Sequence, residues 1–153
     1  MTDLRDLYQQ VIIQHSRSPR NFKKLEGANR TAKGNNPLCG DRLTVYLELE
    51  DDRVLGVSFE GSGCAISRAS ASLMTESVKG KTLDEVRELF DDFRDMVTRR
   101  IGEEVEEEGL EGLGKLAVFS GIRQFPVRVK CATLPWHTLN AAIAAVDEPV
   151  STE

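Results

Sequence analysis

No stretch of this sequence approaches the ~18 uninterrupted apolar residues that a membrane-crossing helix needs, so no span is expected. The first ten residues, MTDLRDLYQQ, lack the basic-then-apolar order of a secretory signal, and the expectation is a cytoplasmic protein. Positive charge is not in excess. Twenty Lys and Arg face 25 Asp and Glu, the net charge is -5, and the basic stripe of a nucleic-acid binder is missing. Paired C-x-x-C knuckles are absent. The three cysteines are odd in number and widely spaced, which makes a poor disulfide framework. There is no internal repeat. Ser67, Ser70 and Ser72 have no paired base nearby in the sequence, so a hydrolase triad has little support.

What is present suits one compact domain. The chain has 153 residues, enough to bury a core without staples. Hydrophobic content of 40% and charged content of 29% are ordinary for a globular protein. The expected domain covers residues 1–146, with an acidic insertion at about 99–114 and a flexible tail over 147–153.

Apolar residues at Leu4, Leu7, Tyr8, Val11 and Ile12 recur in steps of three and four, which predicts a helix over Asp3 to His15. Pro19 ends it, because the residue before a proline is pushed out of the helical region. The polar stretch from Asn29 to Gly40 reads as a loop. Leu43, Val45, Leu47 and Leu49 alternate with polar residues, as do Leu55, Val57 and Phe59, so two strands form a hairpin about Asp51–Asp52. The segment Gly61–Gly63 is expected to break the second strand. Helical spacing follows over Cys64 to Lys79, with Gly80 as a left-handed stop. It resumes from Leu83 to Val97 behind a Thr82–Glu85 capping box. A short apolar helix is predicted over Leu113 to Ile122, and a last one over Ala132 to Val146, with Pro126 as an interruption. Runs of strands and then helices predict an α+β fold with a small antiparallel sheet packed against several helices.

The cysteines stand at structural corners. Cys39 lies in the loop N-P-L-C-G-D, with Asp41 two residues on; Cys64 follows G-S-G and opens a helix; Cys131 follows V-R-V-K and is expected to open another. Helix starts carry unpaired N–H groups and partial positive charge, so lowered thiol pKa values are expected for Cys64 and Cys131. Three thiolates and a carboxylate make a four-coordinate set suited to zinc or an iron–sulfur cluster. Their excess negative charge would be offset by Lys130, Arg128 or Arg123 nearby. On spacing alone, three scattered cysteines are equally compatible with core positions. His15 reads as a helix-end or surface contact, His137 as packing or surface, and Trp136 as packing at the core edge. The Glu103–Glu108 run reads as a solvated loop.

The segments N-N-P-L-C-G-D, G-S-G-C-A-I-S-R-A-S-A-S-L-M and V-R-V-K-C-A-T-L-P-W, with H-S-R-S-P-R-N near the start, resemble the NifU/IscU-like iron–sulfur assembly proteins over residues 1–146. The resemblance implies a metal or cluster site of Cys39, Asp41, Cys64 and Cys131. Scaffold-type members carry a histidine before the last cysteine, where this chain has Lys130. They also carry an L-P-P-V-K chaperone-docking segment, where it reads Q-F-P-V-R-V-K. With the acidic insertion, these departures resemble the SufU branch. That branch implies a zinc-dependent sulfurtransferase: a persulfide relay that takes sulfur from a SufS-type cysteine desulfurase. Cys39 is the expected acceptor, because it sits on a Gly/Pro loop whereas Cys64 and Cys131 are expected at helix starts. Downstream SUF cluster-assembly proteins would be the relay's further partners. Lys130, Arg128 and Arg123 would then lie around the metal or meet the partner. The alternative is a non-enzymatic scaffold that builds a [2Fe–2S] cluster on the same residues.

Overall fold

A computed structural model describes residues 4–98, 113–146 and 148–151. Most of the acidic insertion expected at 99–114 lies outside them. Helix α1 (Leu4–Arg17) is followed by strands β1 (Arg30–Asn36), β2 (Asp41–Glu50) and β3 (Arg53–Ser62). Helices α2 (Ala65–Val78) and α3 (Leu83–Thr98) come next. A 3₁₀ helix (Gly114–Gln124), helix α4 (Pro126–Ile143) and a two-residue strand β4 (Val150–Ser151) complete the order. The sheet runs β3-β2-β1-β4, antiparallel except for the β1–β4 pair. The fold is α+β, as expected.

Leu43, Val45 and Leu47 point inward from β2, and Val57 and Phe59 from β3, as their alternation requires. The pattern slips once. Glu48 pairs with Gly56 and Leu49 with Val54, which leaves Leu55 as an extra residue. Val54 is therefore buried and Leu55 is exposed, the reverse of the expected face. Asn21 and Lys23 exchange backbone hydrogen bonds with Phe59, so the segment after α1 covers the outer edge of β3.

Strand β1 was not legible as a strand. Its inward side chains are Ala32, Gly34 and Asn36, which carry no hydrophobic alternation. A Cβ at Gly34 would overlap the Thr138 hydroxyl, so the missing side chain lets α4 lie across β1. Gly61 does not break β3: it pairs with Leu43, and its φ of +149° brings its backbone against Arg42 where a Cβ would not fit. The tail expected to fray places Val150 and Ser151 beside Gly34 and Asn35.

The helices follow their sequence signals, with one exception. Thr82 and Glu85 satisfy each other's backbone N–H groups, as a capping box does. Every predicted inward residue of α3 from Val86 to Val97 is buried. Pro126, expected as an interruption, instead starts α4 at its first turn, where a missing N–H goes unused. Cys131 thus lies inside α4 and not at its start. Pro135, in the helix interior, withdraws the N–H that the Cys131 carbonyl would have received. Trp136 is fully buried, not at the core edge. It stacks on Phe93 at 5.0 Å and on Phe90 at 5.8 Å between ring centroids. His137, half-buried beside it, meets Phe90 edge-on, in line with a packing role.

His15 is 2% exposed, which corrects its reading as a surface contact. Its Nδ1 shares a 2.7 Å hydrogen bond with Ser72 Oγ, which also accepts the Arg20 N–H at 2.8 Å. Its Nε2 stands 3.7 Å from Glu76. Sequence proximity could not show this serine–histidine pair, but Ser72 is completely buried, so no substrate reaches it and its work is to fasten the Arg17–Asn21 segment onto α2. Burial, then Arg20, holds the His15 pKa below 6.5, against the opposing pull of Glu76; burial and Arg94 lower His137 likewise. The unfolded chain therefore binds protons that the folded chain refuses. Stability should be full above pH 6.5 and fall as pH drops below it toward the folded values. Thermal melts across that window should show the fall, and His15→Asn should flatten it while lowering the midpoint at neutral pH. An equal slope in the variant would remove His15 from this role.

Candidate metal centre

Four separate pieces of chain meet at one end of the sheet. Cys39 lies in the turn between β1 and β2, where its N–H bonds the Asn36 carbonyl and Gly40 turns the chain at φ +69°. Asp41 is the first residue of β2 and is completely buried. The register pairs Arg42 with Ser62, so the end of β3 lies beside Asp41 and delivers Cys64 there. Cys64 is the N-cap of α2, and its Sγ accepts the Ser67 N–H at 3.4 Å. Cys131 reaches in from α4 and is 2% exposed, whereas Cys39 and Cys64 are partly exposed.

Cys39, Asp41 and Cys131 each present a donor atom within 4.8 Å of the others. Cys131 Sγ donates to Cys39 Sγ across 3.0 Å. Cys64 lies just outside this trio, 3.8 Å from Asp41 Oδ2 and in hydrogen-bond contact with the Cys131 thiol. That contact, above the opposing effect of burial, lowers the Cys64 pKa to about 7. The same pair pushes the Cys131 thiol upward, first through its bond with Cys64 and then through burial and its bonds with Cys39 and Asp41. The expectation of a lowered Cys131 pKa fails because that residue lies within a helix and not at its positive end.

Two further residues build the site. Asn36 is completely buried, and its Nδ2 lies 3.5 Å from Asp41 Oδ2 and 3.4 Å from Cys131 Sγ. Gly63 leaves room for Asp41, because a Cβ there would collide with Oδ1. Their signals were the paired asparagines before Pro37 and the glycine before Cys64. Neither identifies a partner without the fold. The Asp41 carboxylate accepts hydrogen bonds from the Cys64 N–H at 2.8 Å, from Asn36 and, at 3.8 Å, from the Cys64 thiol. Among the described residues, no Lys, Arg or His reaches ion-pair distance of it. The Arg128 guanidinium lies instead over the Phe125 ring, 4.5 Å from its centroid, and Lys130 and Arg123 are half-buried.

A buried carboxylate without a cation beside three thiols is the surrounding a soft divalent metal would satisfy. Two sulfurs on a tetrahedral zinc stand about 3.8 Å apart, given Zn–S bonds near 2.3 Å. Cys39 and Cys131 would need to spread only slightly from 3.0 Å, a side-chain movement. The donor set fits zinc. Being rich in thiolate, it also suits iron–sulfur chemistry.

Residues 7–132 match the family of NifU-like N-terminal domains. The chain is 39% identical over 142 residues to the zinc-dependent sulfurtransferase SufU of Bacillus subtilis, covering 93% of this chain and 92% of that one. It is 36% identical over 143 residues to the iron–sulfur cluster assembly scaffold protein IscU of Thermotoga maritima, covering 94% and 96%. A crystal structure of a SUF-system scaffold protein from Fervidobacterium islandicum superposes with a TM-score of 0.79 at 35% identity, over 92% of this chain and 99% of that one. No helix among the described residues is long and apolar enough to cross a membrane.

Proposed function

Because this chain belongs to the family of NifU-like N-terminal domains, we propose that it is a zinc-dependent sulfur acceptor serving iron–sulfur cluster assembly. It takes persulfide sulfur from a SufS-type cysteine desulfurase and passes it on to downstream cluster-assembly proteins. The observation that carries this reading is the meeting of three thiols and one buried carboxylate from distant parts of the chain.

Cys39, Asp41, Cys64 and Cys131 would hold the metal. Bound zinc would keep the thiolates together and lower their nucleophilicity until one is released. The least tethered of the three is Cys39. Cys64 is tied by its backbone N–H to Asp41 and by its sulfur to Ser67, and Cys131 is buried within α4. Cys39 sits in a turn beside Leu38, which is 62% exposed. Its thiolate attacks the outer sulfur of the partner's cysteine persulfide; the partner's S–S bond breaks, its cysteine leaves as thiolate, and Cys39 becomes the persulfide. Exposed Leu38 and Val127, one beside Cys39 and the other a helical turn before Cys131, offer apolar surface to the partner's loop. Arg128 and Lys130, on α4 close in sequence to Val127, and Arg123, just before that helix, would lie around the metal or meet acidic groups of the partner.

Replacing Cys39 with Ala should abolish sulfur acceptance, reducing trapped persulfide by about a hundredfold or more. Loss of acceptance in Cys64→Ala with Cys39→Ala unimpaired would overturn the assignment. Metal analysis of anaerobically purified protein decides between relay and scaffold. Tight zinc near one per chain supports the relay, whereas labile iron with sulfide supports a [2Fe–2S] scaffold; the Thermotoga relative is named a cluster assembly scaffold protein.

A further inference from the structure

Asn36, the last residue of β1, is completely buried, and both polar atoms of its side chain have partners. Its Oδ1 accepts the Leu38 N–H at 3.3 Å, and its main-chain carbonyl accepts the Cys39 N–H at 3.2 Å. One residue thereby closes the turn that carries Cys39. The first bond also fixes which way the amide faces. A backbone N–H can be received only by the amide oxygen, so Nδ2 is turned the other way. There it meets Asp41 Oδ2 at 3.5 Å and Cys131 Sγ at 3.4 Å. The two N–H bonds on Nδ2 match these two acceptors.

We infer that Asn36 is a positioning residue for the metal: its amide N–H groups hold Asp41 and Cys131 in place as donors, while its two oxygens shape the Cys39 turn. The inference rests on the zinc-held reading of the site and adds to it a residue that is not a ligand. A carboxamide oxygen suits hard cations, and beside three thiolates it competes poorly for zinc. An N–H hydrogen bond is still accepted by a carboxylate oxygen or a sulfur that binds a metal, because each keeps lone pairs after ligation. The role therefore does not depend on how the thiols titrate.

Charge and geometry both support the assignment. Three thiolates and a carboxylate carry more negative charge than a dication cancels. Neutral N–H dipoles, from the Asn36 amide and the Cys64 backbone, are what the fold aims at Asp41. The bracing is also uneven among the ligands. Asn36 grips Asp41 and Cys131 at their donor atoms but reaches Cys39 through the main chain. That leaves the Cys39 sulfur to be held by the metal, which fits Cys39 as the ligand that lets go.

The test compares the full-length wild type with Asn36→Leu and Asn36→Asp, by zinc competition against a chelator of known affinity and by the spectrum with cobalt(II) in place of zinc. Leucine keeps the volume and loses every side-chain hydrogen bond. Aspartate keeps the shape and an oxygen for the Leu38 N–H, but has no N–H to give. Both variants should hold zinc about 10–100-fold more weakly. At saturating cobalt both should still show the thiolate-to-cobalt charge-transfer band of wild type, because the three sulfurs remain ligands. Wild-type affinity in either variant would overturn the role, and in Asn36→Asp it would reduce Asn36 to a residue that forms the turn. A diminished band at saturation would mean a dismantled site and would sink the role as well. If Asn36→Leu does not fold, Asn36→Asp decides alone. A wild type that takes up neither zinc nor cobalt would instead overturn the metal-site reading itself.

Discussion

Chelation of the metal is expected to lower the thermal midpoint of this protein by about 10 °C. A site filled at a thousandfold excess over its dissociation constant adds about 4 kcal/mol to the folded state. In a chain of this size each kcal/mol shifts the midpoint by roughly 2–4 °C. The physical ground is the arrangement of the donors. The β1–β2 turn, the start of β2, the N-cap of α2 and the middle of α4 are joined at this one place. Asp41 is buried among Asn36, the Cys64 N–H and the three thiols, and among the described residues no cationic side chain offsets its charge. Ligand deprotonation and site assembly are coupled to folding, so the metal's binding energy becomes folding energy. Melts with and without chelator, followed by readdition of zinc, check this. Full recovery with zinc is the expected outcome, and an unchanged midpoint after chelation would remove the metal from the account. The fold should survive the loss, because the core of α2, α3, α4 and the sheet is separate from the site.

Trp136→Ala should destabilise the folded chain by about 3–5 kcal/mol, the range for deleting a large buried aromatic side chain. The indole fills the space between α4 and α3, stacked against Phe90 and Phe93, and Phe93 in turn meets Phe119 edge-on at 5.9 Å. Removing it leaves a cavity beside the Phe90 and Phe93 rings of α3, and Phe93 is also held by its contact with Phe119, which limits collapse inward. Trp136→Phe should lose much less, for two reasons: it keeps most of the aromatic volume, and it deletes an indole N–H that has no hydrogen-bond partner among the described residues. Denaturant titration of the three proteins measures the series. A small loss in the alanine variant would show that α3 can close onto α4. Trp136 lies just over one turn beyond Cys131, so the alanine variant should also weaken metal retention.

The amphipathic helices were readable because their burial depends on local spacing. The run from Leu83 to Val97 carries its inward face in its own order, and Thr82 with Glu85 marks its start. The β2–β3 hairpin was readable for the same reason, except at Leu55. There one unpaired residue reverses the inward face, and nothing in the local alternation reports which strand holds the extra residue. Strand β1 was hidden because it contacts α4 through Ala32, Gly34 and Asn36. The close approach needs small side chains, and small side chains erase the hydrophobic signal. The start of α4 was misplaced because a proline reads as a breaker unless the chain before it is known to be non-helical.

The residue types alone determined the chemistry available here: three thiols and a carboxylate at glycine-flanked positions, in segments resembling an assembly family. They could not determine that Asn36 lies against both Asp41 and Cys131, that Cys131 sits within a helix, or that His15 is buried against Ser72. Those relations join residues that are far apart along the chain, or whose burial depends on such contacts. Spacing along a chain specifies which face a residue occupies on its own helix or strand. Which other face it meets is set by packing the elements together, and only that step brings Cys39 and Cys131 to 3.0 Å.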